Sequence, residues 1–357
     1  MRHSSSEIVD FRADTMTKPT EAMLRHMMSA DVGDDCWGTD PTTKALEEYC
    51  ADLLGKEAAL FTSSGTLSNQ LALRAHTVPG DEVVLDSSTH FVVYEGAQSA
   101  DLGHVVFNLL NAENGLVTAR HLDDVFGGRA RGPAYAMPKL LCLENTVNWH
   151  GGCVLPIEEM RRLRAKSTAL GMATHLDGAR LPNASVATGV SMAEYAATVD
   201  TVSVCFSKAL GAPFGSILAG PADVIKKAKR YRKWYGGDLH QNGYLAAAAH
   251  YALDHHMDRI AEDHENAALL AKLLAENPLL KPQVHDPMTN IVVVDVSATG
   301  LGPEEFCAEA AKVGVLLGDW KPGTVRAVLS MCADEQGVRI AADRLNLLAD
   351  RCRKAAA

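Results

Sequence analysis

The 357-residue chain has no Cys-x-x-Cys pair, no basic run and no long apolar run, and each absence excludes a class of function. Its eight cysteines stand apart at positions 36, 50, 142, 153, 205, 307, 332 and 352. In a chain this long, that scatter reads as reduced thiols and argues against a disulfide scaffold or a zinc site, so no metal is expected. Lys and Arg number 34 against 44 Asp and Glu, a net charge of -10, so no nucleic-acid partner is expected. No stretch nears the length of a membrane span, and the start Met1–Asp10 lacks the apolar core of a secretory signal. The expectation is a cytoplasmic protein with no membrane partner. A hydrophobic share of 47% with 22% charged residues is that of a soluble globular chain of roughly two domains.

Strand-like and helical patterns alternate from about residue 45 to 245. Runs at 82–85, 104–107, 139–143, 172–177, 200–206 and 215–219 read as strands, and 157–169 as a helix. Such alternation implies an α/β fold with a mostly parallel central sheet covered on both faces. A long helical region then runs from Gly243 toward Leu274. A strand at 291–296, a helix at 303–313 and a closing helix at about 334–353 complete a smaller α+β domain. The expected division is 1–245, with an N-terminal arm at 1–44, and 246–357.

The strand-like run Asp200–Phe206 leads directly to Ser207-Lys208-Ala209-Leu210-Gly211. A lysine at the end of an apolar strand loses hydration, which disfavours the ammonium and frees the amine to attack a carbonyl. Another strand ends at Asp177, in His175-Leu176-Asp177-Gly178-Ala179-Arg180. In open α/β sheets the carboxyl ends of neighbouring strands line one crevice. Pyridoxal 5'-phosphate needs that pair: an amine for its aldehyde and an anion for its ring nitrogen. Ser64-Gly65-Thr66 leads into a helix N-terminus, which suits a phosphate, and Ser207 can add a hydroxyl. His90 follows the second strand and can stack on a ring or carry protons. Arg180 and Arg326 are candidates for a substrate carboxylate. His255, His256 and His264 read as a solvated helix face.

With these residues in place, the chain resembles the pyridoxal phosphate-dependent threonine aldolase family of β-eliminating lyases, within the aspartate aminotransferase-like fold (fold type I). The resemblance rests on Asp10–Thr20, Val32–Asp35, Gly38–Thr42, Gly55–Phe61, His175–Leu181 and the Lys208 segment. It implies Lys208 as the Schiff-base lysine, Asp177 as the pyridinium partner, Gly65 and Thr66 at the phosphate, and His90 on the ring. It also implies Arg180 and Arg326 on the substrate carboxylate, and a homodimer or homotetramer with shared active sites.

Five departures from the family pattern stand out. Val147 replaces a His thought to contact the substrate hydroxyl, Ala13 a Ser near the carboxylate, and Trp37 a Tyr. His240 replaces an Arg associated with the cofactor phosphate, and Ser330-Met331 a Thr-His. The expected reaction is retro-aldol cleavage of a β-hydroxy-α-amino acid to glycine and an aldehyde. With the usual His gone, His90, His150 or a water is expected to serve as base. Two alternatives stay open: racemisation, β-elimination or β-substitution at the same carbons, and a catalytically silent binding protein.

Overall fold

The computed structural model describes residues 8–127, 132 and 134–356, with side chains as far as 352; Met1–Glu7 of the expected arm lie outside them. Two compact units emerge, Pro19–Met257 and the described residues up to Lys18 together with Asp258–Ala357.

The larger unit is built on a seven-stranded sheet. Across it the strands run in the order Ala58–Thr62, Ser216–Gly220, Thr201–Cys205, Ala173–Asp177, Pro138–Glu144, Glu82–Asp86 and Val106–Leu110. Ser216–Gly220 pairs antiparallel with both its neighbours, and the other strands share one direction. Strand interiors such as Val83, Val84 and Leu85 are fully buried, as expected of a sheet covered on both faces. In register, Glu144 stands opposite Asp177 and Asp177 opposite Ser203, so three neighbouring strands bring their carboxyl ends level. The predicted strand at 104–107 sits further along, at Val106–Leu110.

The helical run after Gly243 is two helices, Gly243–His256 and Ile260–Leu274, and the units divide between them at 257/258 rather than at 245/246. The first packs on the helices Glu21–Met28 and Pro41–Leu53, which holds it to the larger unit. His256 is buried there and its Nδ1 lies 2.7 Å from the Leu210 carbonyl oxygen. His264, on the second helix, is also buried, and burial pulls its pKa down to about 4. These two histidines therefore face the interior and not solvent, because each helix is wrapped on more than one side.

In the smaller unit a four-stranded antiparallel sheet runs Gly318–Asp319, Thr324–Val328, Ile291–Asp295, Lys281–Pro282. Its core includes Phe11, Val292, Val294, Phe306, Val325 and Leu345. Residues from the start of the chain belong here because Val9–Asp10 pairs with Val315–Leu316 and the Phe11 carbonyl accepts the Val328 N–H at 2.8 Å. Arg326 lies on the central strand pair with its guanidinium carbon 4.0 Å from the Trp320 ring centroid, and Nη2 donates to the Arg12 carbonyl at 3.2 Å. Ala13 caps the short turn Asp14–Met16 in the same unit.

Candidate active site

The larger unit collects Asp177, His90, Glu95, Glu144 and Lys208 at the carboxyl ends of its parallel strands. Asp177 ends its strand with 3% of its surface exposed. Burial alone would push its pKa up. The His90 and Lys208 charges, the Asn69 amide at 2.8 Å and the Ala179 N–H at 3.0 Å outweigh burial and hold it below the usual value. Asp177 is thus an anion in an almost dry place.

His90 opens the short helix His90–Val93. Its Nδ1 lies 2.8 Å from Glu95 Oε1, and its backbone N–H donates to Glu144 Oε2 at 2.7 Å. Burial lowers the imidazole pKa, but the bond to Glu95 and the charges of Asp177 and Glu95 win, and the net shift is upward. Lys208 is half-buried in the loop after Thr201–Cys205. That loop is fixed by Gly211 N–H to Lys208 O at 2.8 Å and Phe206 N–H to Gly215 O at 3.0 Å. Gly215 has φ +96°, and a Cβ there would lie 2.5 Å from the Phe61 ring. Only glycine closes the loop this way.

The Ser64-Gly65-Thr66 segment begins the helix Gly65–His76. Ser64 is its cap and accepts the Leu67 N–H at 3.1 Å. Among the described bonds this leaves the N–H groups of Gly65 and Thr66 for an anion. A Cβ on Gly65 would sit 2.6 Å from Cys205 Sγ, so glycine lets this helix start rest on the strand that ends just before Ser207 and Lys208. Ser207 is half-buried beside the lysine.

Arg180 is 6% exposed and donates from Nη1 to Asn148 Oδ1 at 3.3 Å. Val147, one residue earlier, is buried, and its side chain fills the space beside Gly115, where a Cβ would lie 2.8 Å from Val147 Cγ1. It offers neither donor nor acceptor. His150 closes the same turn, Asn148–His150. Trp37 is 82% exposed on the turn Asp35–Trp37. His240 is exposed, with Nδ1 2.8 Å from Asp34 Oδ2 and Cys36 close by.

Three partners of this cluster are not evident from the sequence. Glu95 is buried and takes hydrogen bonds from Asn69 at 2.8 Å and Gln70 at 2.6 Å besides that of His90. Glu144 accepts from both His90 N and Asn148 N, and burial with the Asp177 charge beside it pushes its pKa up to about 7. Asn69 reaches both Asp177 and Glu95. For Asn69 and Glu144 the one available signal is a polar residue inside an otherwise buried helix or strand; Glu95, in the bend after His90–Val93, offers none.

A buried anion, an amine on the neighbouring strand end and a helix N-terminus for a phosphate form the donor set that pyridoxal 5'-phosphate requires. The match to the beta-eliminating lyase family model covers residues 10–299. The chain belongs to the beta-eliminating lyase family. A low-specificity L-threonine aldolase of Arabidopsis thaliana is 37% identical over 324 residues, 90% of each protein. An uncharacterized Caenorhabditis elegans protein is 42% identical over 267 residues, which span 74% of this chain and 64% of that relative. The solved Leishmania major threonine aldolase aligns with a TM-score of 0.80 at 21% identity, over 96% of this chain and 99% of that one, which shows a shared fold. The family's members bind pyridoxal 5'-phosphate, and the chain is a pyridoxal phosphate-dependent lyase. No helix among the described residues is long and apolar enough to cross a membrane.

Proposed function

We propose that the protein cleaves a threonine-like β-hydroxy-α-amino acid between Cα and Cβ, giving glycine and an aldehyde. The observation that carries this is the grouping of His90–Glu95 and Lys208 about the buried anion Asp177, in a chain with threonine aldolases among its relatives. Lys208 would hold the cofactor by its aldehyde, Asp177 would pair with its ring nitrogen, and Gly65, Thr66 and Ser207 would hold its phosphate. When bound, the cofactor supplies an electron sink for the pair left at Cα. Arg180 would take the substrate carboxylate and orient the bond to be broken.

His90 is the candidate for the hydroxyl proton. Glu95 occupies Nδ1, which leaves Nε2 to accept it. The raised pKa extends the protonated imidazole to higher pH than usual, so this step favours alkaline solution. The apolar Val147 favours a second reading, removal of a Cα proton without hydroxyl contact, with Lys208 as base.

Glycine release from L-threonine, L-allo-threonine and phenylserine tests the first reading. Glycine with stoichiometric aldehyde supports it, and turnover without glycine defeats it. A cytoplasmic location accords with eight free cysteines. Association of two or four copies accords with the exposed Trp37, Leu24, Met28 and Tyr244.

A further inference from the structure

Two periodicities meet where the helix Gly65–His76 packs on the strands Ala173–Asp177 and Thr201–Cys205. Asn69 and His76 are seven residues apart and share one helix face, while His175 with Asp177, and Thr201 with Ser203, share one face of the sheet. His175 stands opposite Thr201 and Asp177 opposite Ser203. The result is a line of buried polar side chains under one helix; Asn69 is 1% exposed, and His175, Thr201 and Ser203 are fully buried.

Chemistry fixes the direction of each bond along it. Asn69 Nδ2 lies 2.8 Å from Asp177 Oδ2 and 2.8 Å from Glu95 Oε1. An amide nitrogen only donates, so it gives one hydrogen to each carboxyl oxygen. Asn69 Oδ1 is then the acceptor, for Ser203 Oγ at 3.0 Å and for His175 Nε2 at 3.2 Å. His175 therefore carries its proton on Nε2. Burial pulls its pKa down to about 3, which leaves Nδ1 bare to accept the Thr201 hydroxyl at 3.0 Å. Thr201 has spent its one proton, and so it accepts from His76 Nε2 at 3.1 Å.

We propose that Asn69 is a positioning residue that ties the anion of the site, Asp177, to the partner of His90, Glu95, and that the chain His76–Thr201–His175 sets which way its amide faces. The amide gives both carboxylates a donor, fixes the distance between them and needs no charge of its own. Filling space alone would not require a donor on one side and an acceptor on the other. The proposal rests on the reading of Asp177 as the cofactor's partner, and it is independent of which bond the enzyme breaks.

The test uses the cofactor-loaded protein, without substrate, and Asn69→Leu, which keeps size and removes the donors. Losing a hydrogen bond to a charged group should move the pH midpoint of the cofactor's visible absorbance by about one to two units. With substrate, kcat should fall about 10–100-fold while KM stays within about threefold. Thr201→Val removes the upstream hydroxyl without touching Asn69 and should shift the same midpoint by less, in the same direction. In the cofactor-free protein, ¹⁵N spectra should show His175 as the neutral Nε2–H tautomer. An unchanged midpoint in Asn69→Leu, or a His175 proton on Nδ1, overturns the proposal. If Asn69→Leu does not fold, an unchanged midpoint in Thr201→Val overturns it instead. A wild type that keeps these signatures but releases no glycine defeats the aldol reading and leaves this one standing.

Discussion

Glu144 Oε2 accepts the His90 backbone N–H at 2.7 Å, so a carboxylate at one strand end holds the start of the helix that carries the site's imidazole. Its other oxygen accepts Asn148 N–H at 2.9 Å, and Asn148 in turn accepts from Arg180. One buried side chain thus links the residues assigned to the ring and to the carboxylate.

Glu144→Gln tests that link. The amide must turn its NH2 group toward one of the two backbone donors, stranding a buried N–H at a cost of about 1–3 kcal/mol. Burial pushes Glu144 up to about 7 when folded, against 4.5 for an ordinary glutamate, so the folded state holds the extra proton between those values. Wild-type stability therefore falls as pH rises from 4.5 through 7, and the variant lacks that slope. Urea midpoints at pH 5 and pH 8 should show a larger deficit for the variant at pH 5.

His90→Asn removes the proposed base and should lower glycine release by about 10²–10⁴-fold. The His90 pKa is raised above 6.5, and only the neutral ring accepts a proton. In the wild type, kcat/KM should therefore rise with pH along a limb whose midpoint lies above 6.5. The variant should lack that limb.

Val147→His places an imidazole at a position that is 1% exposed. If the hydroxyl proton limits the rate, glycine release should rise by up to about 10²-fold. The larger ring, beside Gly115, should cost about 1–3 kcal/mol of stability by overpacking. Both are read on one preparation, by assay and by thermal melt.

Arg232 is 1% exposed and bonds Asp35 and Asp238 at 2.7 Å each and the Phe61 carbonyl at 2.6 Å. Arg232→Leu leaves Asp35 buried without its charge partner and should destabilise the larger unit by about 3–5 kcal/mol. Chemical denaturation of the cofactor-free protein checks it.

The sheet was legible because its strands are short apolar runs bounded by turn residues, and the strands ending at Asp177 and near Lys208 carry polar ends that stand out. Asn69, Glu95 and Glu144 were not legible as a network. Asn69 meets Glu95 across 26 residues of chain and Asp177 across 108, Glu144 meets His90 across 54, and the register Glu144–Asp177–Ser203 helps bring them to one place. The helical run from Gly243 looked continuous because Met257–Arg259 holds no Gly or Pro to mark the break. His256 and His264 looked solvated because acidic neighbours masked the apolar side of each helix.

The most direct test of the account follows two products in one sample. The cofactor-loaded protein is incubated with L-threonine in deuterated water, and glycine is quantified beside deuterium at Cα of the remaining threonine. The account predicts glycine and acetaldehyde in equal amounts, with formation lost in Lys208→Ala. Deuterated threonine with no glycine would contradict it and assign the site to proton transfer at Cα.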